Sequence, residues 1–302
     1  MTKSQQKAPY SLLTWSGELW DIGCVTEYIR SAAAVCNSNI FCMSLFPEEQ
    51  LDSPVGYFPA RPNQTLDKGN WTITRKLGWG PRSSTWLAHD RVGQYGAVKI
   101  LTVAATQDST GQHECDILSS LRKQDEHIFP EILSHFFEHD PKGERHFCLV
   151  FRVLGSSVED LRLSNTSNEK YLPLYTVQKI VGDISQALTV LASHGLIHGG
   201  GCHQSFYFTL PLIYRVPSTA VTADNFLFWC AQTRDAIRKV LAKAPRKKAE
   251  MTQGTDGVTY PSVRSQPIPL GCTWDSTATD IMYAQLYLSN YAHGMYPARL
   301  RM

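Results

Sequence analysis

Three β-rich runs follow one another between Trp71 and Val103. The first, "WTITRKLGWG", alternates apolar and polar residues and ends in glycines. The second and third, "STWLAHD" and "YGAVKILTV", are joined by a loop from Arg91 to Gln94 that contains Gly93. Alternation with a period of two is typical of strands that have one buried face. Three such strands in a row predict an antiparallel meander.

A helix and two further strands come next. Cys115, Leu118 and Leu121 stand at helical spacing in "GQHECDILSSLRKQ", with Glu114 on an adjoining face. The runs "EILSHFFEHD" and "RHFCLVFRVLG" then read as two strands separated by a turn from Pro141 to Gly143.

A long helix is predicted from Leu174 to Gly195, where apolar residues recur at 177, 180, 181, 184, 188 and 191. Gly195 supplies a stop signal. The order is a five-stranded antiparallel block with one inserted helix, followed by a helical block. The predicted fold class is therefore α+β.

Composition limits the function classes. The chain has 302 residues, a net charge of +2, and eight cysteines without a CxxC pair or a zinc-like spacing. It contains no uninterrupted apolar run of about 18 residues, so we expect no membrane span. The basic run from Lys243 to Lys248 is typical of a solvated loop and gives no nucleic-acid signal. We expect an intracellular protein, cytoplasmic or nuclear, with reduced cysteines.

The glycine-containing run "LGWGPRSSTWL" lies between the first two predicted strands. Glycines allow a backbone to approach phosphate oxygens closely and to offer its N–H groups. In a GxGxxG pattern, however, the third glycine position is Ser83, and Pro81 removes one donor. Taken alone, the run is typical of an ordinary hairpin.

Lys99 changes that interpretation, because it lies within the apolar strand "AVKIL", 21 residues after Gly78. A buried lysine is costly unless an anion meets it. Glu114, on the helix that follows, is the available partner. Such a pair would hold the α and β phosphates of a nucleotide. The alternative is that Lys99 extends from an edge strand to solvent.

Several stretches together resemble a eukaryotic protein kinase, and more narrowly the fungal relatives of the SR-protein kinases. They are "GYFPARPNQTLDKGNWTITRKLGWGPRSSTWLAHD", "AVKIL", "HECDILSSL", "CLVFRVLGSSVEDL" and "SQPIPLGCTWD". Trp79 in the glycine loop and the "VLG" after the hinge strand are the narrower signatures. The resemblance extends from about Tyr57 to Gly294.

The resemblance implies a β-rich small lobe, residues 57–155, over a partial helical lobe, residues 156–302, with ATP between them. Residues 1–56 would be a poorly ordered extension. Phe151 would be the gatekeeper, with the hinge at Arg152, Val153 and Leu154. The implied nucleotide contacts are Leu77, Gly78, Gly80, Ala97, Lys99, Glu114, Phe151, Val153 and Leu154.

The catalytic loop departs from the family pattern, His-Arg-Asp followed by four residues and Asn. Here "LIHG" ends at Gly199 and "AVTADNFLF" resumes at Ala220. Removing residues 200–219 restores the family's length and matches His198 and Asn225 to its ends. The 20 intervening residues are either a translated intron or gene-model error, or a lineage-specific loop; sequencing the cDNA across the join distinguishes them.

Even with that segment removed, the Asp and Lys positions of the catalytic loop hold Ala220 and Thr222. The metal-binding Asp of the later Asp-Phe-Gly motif corresponds to Asn290, so Asn225 and Asn290 occupy the two metal positions. Mg²⁺ binding is therefore in doubt, because an amide is a poorer ligand than a carboxylate. We also expect the activation segment and later helices of the large lobe to be missing, leaving an apolar patch exposed.

Two functional hypotheses follow, with a poorly folding product as a third. One is an ATP-dependent Ser/Thr kinase whose substrates, by the resemblance, are Arg/Ser-rich proteins. The other, which the substitutions favour, is a degenerate kinase-like protein that binds nucleotide or a protein partner but does not transfer phosphate.

Overall fold

The computed structural model describes residues 55–122, 128–165, 171–196, 198, 222–229, 233–253, 259–269 and 273–291. The predicted insertion at 200–219, Ala220 and nearly all of the N-terminal extension lie outside these residues. The strands are β1 Thr65–Leu66, β2 Trp71–Gly80, β3 Ser83–Asp90, β4 Tyr95–Leu101, β5 Ile132–His139, β6 Arg145–Phe151, β7 Leu154–Ser157, β8 Phe226–Trp229, β9 Glu250–Gln253, β10 Thr259–Ser262 and β11 Leu286–Leu288. The helices are α1 Val103–Gln107, α2 Thr110–Leu121, α3 Val158–Leu163, α4 Leu174–Ser193, α5 Arg234–Lys243 and α6 Ala278–Met282, with short 3-10 turns at Asp67–Gly69 and Ala223–Asn225.

The predicted meander forms the first three long strands of a six-stranded sheet. Its order is β1-β2-β3-β4-β6-β5, and every neighbouring pair is antiparallel. The five predicted strands are confirmed. The sixth, β1, has only two residues, which pair with Trp71 and Thr72, too few for an alternating pattern to reveal.

Two helices, rather than one, follow β4. The hydroxyl of Thr102 accepts a hydrogen bond from the Ala105 N–H and begins the five-residue α1. Helix α2 then runs against the sheet and buries its Glu114 face together with Cys115. The sequence revealed only α2, because five residues do not complete two turns of an apolar pattern.

The second half of the described chain contains a three-stranded sheet in the order β11-β8-β7. Helix α4 buries Ile180 and Leu191, whereas Val177 and Val181 are exposed. The stripe of apolar residues predicted for this helix is thus only partly covered. The β9-β10 hairpin forms a separate pair of strands.

Helix α5 packs against the six-stranded sheet, on the face that also lines the cleft described below. Its Ile237 lies in a buried cluster with Leu87, Val153 and Ile268. The Gln266 N–H donates to the Lys76 carbonyl at 2.9 Å, which holds the segment around Gln266 beside β2. This segment belongs to the "SQPIPLGCTWD" stretch and reaches the cleft described below.

Two cysteines, Cys115 and Cys148, lie in the described residues, and both are free and buried. Burial raises the pKa of both thiols, that of Cys148 well above its ordinary value. No helix within the described ranges has the length and apolar character that a membrane crossing requires.

Candidate nucleotide site

A cleft of about 370 Å³ lies between the six-stranded and three-stranded sheets. Of the predicted nucleotide contacts, eight line it: Leu77, Gly78, Gly80, Ala97, Lys99, Glu114, Phe151 and Leu154. The ninth, Val153, does not. Its side chain is 1% exposed and packs in the cluster beneath α5, so this hinge residue turns away from the cleft while Arg152 and Leu154 line it.

Lys99 and Glu114 form an ion pair in the wall of the cleft. Lys99 Nζ lies 2.9 Å from Glu114 Oε1 and 2.6 Å from Oε2. The lysine side chain is 14% exposed and the glutamate 2%, so the carboxylate is desolvated while the ammonium still reaches the cavity. The Tyr291 N–H also donates to Glu114 Oε1, at 3.3 Å. The pair therefore joins β4, α2 and the chain after β11.

The glycine run is a tight hairpin. Strands β2 and β3 stay paired as far as Gly80 and Ser83, which leaves only Pro81 and Arg82 in the turn. A Cβ on Gly78 or Gly80 would meet no atom within 4 Å, so the cleft side of the hairpin is open. The Tyr57 hydroxyl anchors the hairpin by donating to the Gly80 carbonyl at 2.9 Å.

The tip of this hairpin is tied to the start of α2. Arg82 Nη2 pairs with the Asp108 carboxylate and donates to the Thr110 hydroxyl at 2.6 Å. Burial of Asp108 would raise its pKa, but hydrogen bonds from Thr110 and Arg82 outweigh that effect and hold the pKa below its ordinary value. The tip of the hairpin is thus linked to the first turn of the helix that carries Glu114.

Apolar side chains line the part of the cleft near the hinge. Leu77 and Ala97 come from the large sheet, Leu227 comes from β8, and Ile268 comes from the segment beside β2. Small-molecule sites are commonly apolar with a few placed polar groups. A nucleotide would fit this arrangement, with its nucleobase in the apolar part of the cleft and its phosphates beside Lys99.

The two ends of the predicted catalytic loop come together. A His198 ring nitrogen, Nε2, donates to the Ser289 carbonyl at 2.7 Å, and the imidazole packs edge-on against Tyr291 at 5.0 Å between centroids. The Ser289 N–H and hydroxyl both donate to the Asn225 carbonyl, at 2.8 and 2.9 Å. Asn225 and Asn290, the two residues predicted at the metal positions, both line the cleft.

The side chain of Asn225, however, is already occupied. Its Oδ1 accepts hydrogen bonds from the Thr222 N–H and the Thr222 hydroxyl, each at 3.1 Å. A backbone N–H can only donate, so the amide oxygen must face Thr222. Both lone pairs of that oxygen are then used, and the amide nitrogen cannot bind a cation.

Two carboxylates missed by the sequence analysis line the cleft, Asp160 and Asp224. Asp160 is committed to the capping box of α3, because its carboxylate accepts from the Ser157 N–H and hydroxyl. Burial, with Glu159 and Asp160 nearby, raises the pKa of Asp224. Among the described residues, no group of three or more His, Cys, Asp or Glu side chains is arranged to hold a metal. Mg²⁺ is usually held by one or two ionised carboxylates; the carboxylate of Asp160 is already hydrogen-bonded and the raised pKa of Asp224 disfavours its ionised form, so these residues fit the ion poorly.

Leu227, Pro267 and Ile268 were also missed as cleft residues. Leu227 lies two residues after Asn225 on an alternating run, and the spacing alone could have placed it on the cleft face. Pro267 and Ile268 reach the cleft through a contact between distant parts of the chain, which no local pattern could have shown.

Comparison with known proteins gives the following matches. Protein kinase dsk1 of Schizosaccharomyces pombe is 32% identical over 151 residues, which cover 47% of this chain and 27% of the relative. Serine/threonine-protein kinase SRPK of Physarum polycephalum is 32% identical over 141 residues, 45% of this chain and 32% of the relative. Serine/threonine-protein kinase SKY1 of Saccharomyces cerevisiae is 30% identical over 156 residues, 48% of this chain and 20% of the relative. The matched stretches thus span about a fifth to a third of these relatives' lengths.

No protein-family model matches the chain. A crystal structure of a kinase domain superposes with a TM-score of 0.49 at 17% identity, covering 80% of this chain and 55% of that structure. The relatives include an SRSF protein kinase from Mus musculus, so the likeness extends beyond the fungi. The homologues of this chain are serine/threonine kinases of the SRPK type, and by that homology the fold described above is protein-kinase-like.

Proposed function

We propose that this chain is a kinase-like domain that binds ATP in the cleft beside Lys99 and transfers phosphate poorly or not at all. In this proposal residues 57–155 form the small lobe and the chain from residue 156 contributes the opposite wall. The Lys99–Glu114 pair carries the proposal. It presents an oriented ammonium group at the end of an apolar slot.

The features of the slot support nucleotide binding without a metal. The buried Glu114 carboxylate orients the Lys99 ammonium group, which favours a phosphate oxygen next to it. The open inner side of the glycine hairpin leaves room for the phosphates. Adenine would lie between Ala97 and Leu227, with Leu154 at the hinge.

The residues at the positions for chemistry support impaired transfer. Ala220 cannot accept a proton from a substrate hydroxyl, and Thr222 cannot supply the charge of the family's lysine. Loss of a general base alone costs about 10²–10⁴ in rate, or about 3–5 kcal/mol of barrier. Asn225, whose oxygen is bonded to Thr222, leaves little with which to hold Mg²⁺.

The second candidate is an active Ser/Thr kinase of Arg/Ser-rich proteins. The observation in its favour is the intact Lys99–Glu114 pair together with Asn225 in the same cleft. Protein kinases generally use ATP with Mg²⁺. This candidate requires a base and a metal ligand other than those of the family pattern.

A phosphotransfer assay separates the two candidates. The purified chain is incubated with Mg²⁺, γ-labelled ATP and an Arg/Ser-rich peptide, beside Lys99→Ala and the exposed turn variant Lys142→Ala. We expect no label on peptide or protein above the Lys99→Ala background. Label that persists in Lys142→Ala and disappears in Lys99→Ala would establish the active kinase instead. A fluorescent ATP analogue bound by the parent and Lys142→Ala, but not by Lys99→Ala, would support the nucleotide site in either case.

A further inference from the structure

A second cavity, of about 290 Å³, lies between the large sheet at β2 and the chain that follows α5. It shares no lining residue with the nucleotide cleft. Its lining residues are Asn63, Ile73, Thr74, Arg75, His89, Tyr95, Leu241 and Arg246. Two arginines and a histidine therefore face one cavity whose lining contains no carboxylate.

Arg75 is the unusual member of this set, since its side chain is buried to 2% exposure. One of its guanidinium nitrogens, Nη2, donates to the Ala244 carbonyl at the end of α5. Its Nε is buried and has no hydrogen-bond partner, and no carboxylate within the described ranges forms an ion pair with it. A buried guanidinium that lacks an anion is costly. Burial accordingly lowers the pKa of Arg75.

The backbone of β2 explains how Arg75 reaches this place. The register of β2 against β3 shifts between Ile73 and Arg75, which leaves Thr74 without an opposite residue. Such a bulge redirects side chains. The Thr74 hydroxyl is also buried without a partner. Contact with Ala244 accounts for one nitrogen of Arg75, but it leaves these two adjacent polar groups unexplained.

Arg246 is held in position from the other side. The Lys247 N–H donates to Gln266 Oε1 at 2.7 Å, and Gln266 Nε2 donates to the Pro245 carbonyl at 3.2 Å. Gln266 is itself bonded to β2. The backbone on both sides of the exposed Arg246 is therefore fixed to the sheet that carries Arg75.

We propose that this cavity is a binding site for a phosphate monoester, held by Arg75, Arg246 and the Thr74 hydroxyl. Phosphate offers several strong acceptor oxygens, which suits two guanidinium groups and a hydroxyl approaching from different sides. His89 also lines the cavity, and its Nδ1 donates to the Asp90 carbonyl at 3.1 Å. Ile73, Tyr95 and Leu241 give the cavity an apolar side for the group that carries the phosphate.

The test is calorimetric titration at constant ionic strength with inorganic phosphate and with O-phospho-L-serine. Both ligands should bind the parent chain. Arg246→Gln and Thr74→Val should each weaken binding, Arg246→Gln by about tenfold or more, since a hydrogen bond to a charged group is lost. Arg238→Gln, an exposed arginine of α5 outside the cavity, is the matched control and should bind as the parent does. Arg75→Lys keeps the positive charge but removes the planar set of guanidinium N–H donors. It tests the buried position without leaving a cavity there.

Tighter binding of O-phospho-L-serine would identify a phosphorylated side chain as the source of the ligand, and equal binding would identify free phosphate. Lys99→Ala should leave this binding intact, because Lys99 lies in the other cavity. The proposal would be overturned if neither ligand bound, if Arg246→Gln and Thr74→Val bound as the parent does, or if Lys99→Ala abolished binding.

Discussion

The side-chain oxygen of Asn225 accepts two hydrogen bonds from Thr222, one from its N–H and one from its hydroxyl, each 3.1 Å long. Thr222 stands where the family has lysine, and it turns the neighbouring asparagine into a cap for the 3-10 turn at Ala223–Asn225. A position expected to bind metal thus has a structural role.

Asn290→Asp should introduce a dependence on Mg²⁺. The residue lines the cleft, and its φ of 70° is tolerated by aspartate. A carboxylate there gives the metal a ligand beside the phosphates. We expect Mg²⁺ to raise ATP affinity about tenfold, equivalent to about 1.4 kcal/mol. Calorimetry with and without Mg²⁺ measures this, and Asn290→Ala should show no such effect; an equal response in both variants would refute the role of the carboxylate.

Glu114→Gln should destabilise the fold. The substitution leaves Lys99 without its anion in a largely buried place, and we expect a loss of about 1–3 kcal/mol in the free energy of unfolding. Urea unfolding of Glu114→Gln, Lys99→Met and the double variant measures the coupling. Because the two side chains contact each other, the losses should be non-additive. Strict additivity would show that the pair is not formed in solution.

Gly111→Ala should destabilise the helix that carries Glu114. A Cβ at Gly111 would lie 2.3 Å from Phe147 Cδ1 and 2.9 Å from Leu101 Cδ2, and such overpacking typically costs about 1–3 kcal/mol. Gly182→Ala is the matched control in α4, because its Cβ would meet nothing within 4 Å. That change should stabilise by about 0.5–1 kcal/mol. Thermal unfolding tests both, and similar shifts would contradict the close packing at Gly111.

Asp108→Asn should make the chain less stable at neutral pH. The pKa of Asp108 is lowered in the folded state, so its ionised form favours folding. That contribution is present above the ordinary pKa of 3.8 and disappears as the pH falls through the lower folded value. The difference between parent and variant should therefore shrink in acid. Denaturant unfolding of the parent and of Asp108→Asn, from neutral pH down to below pH 3.8, measures this difference in the free energy of unfolding.

Arg82→Gln removes the same contact from the other side. If Arg82 and Asp108 act together, the double variant should lose little more stability than either single variant. A pH-independent difference between the parent and Asp108→Asn would contradict the pairing.

The sequence predicted the parts of the fold that local pattern determines. The meander followed from alternating residues, and the Lys99–Glu114 pair followed from the cost of a lysine in an apolar strand. Both predictions used only residues that are close together in the sequence. The glycine hairpin was recognised, although its tie through Arg82 to Asp108 was not.

Contacts between distant segments could not be predicted. Val153 turns away from the cleft because α5 and Ile268 cover it. Both lie far from Val153 in the sequence, so no local pattern predicts the contact. The basic run at 243–248 is a largely exposed loop, as expected, but the bulge in β2 brings Arg75 beside Arg246. The role of Asn225 as a cap could not be predicted either, because only the structure shows that Thr222 donates two hydrogen bonds to its side-chain oxygen.

The most direct test of the proposed function is a calorimetric titration of the purified chain with ATP, in Mg²⁺ and in EDTA, beside Lys99→Ala and Lys142→Ala. The account predicts saturable binding of similar affinity under both conditions, retained in Lys142→Ala and lost in Lys99→Ala. Binding that requires Mg²⁺ would contradict the metal-poor cleft, and binding unaffected by Lys99→Ala would contradict the nucleotide site itself.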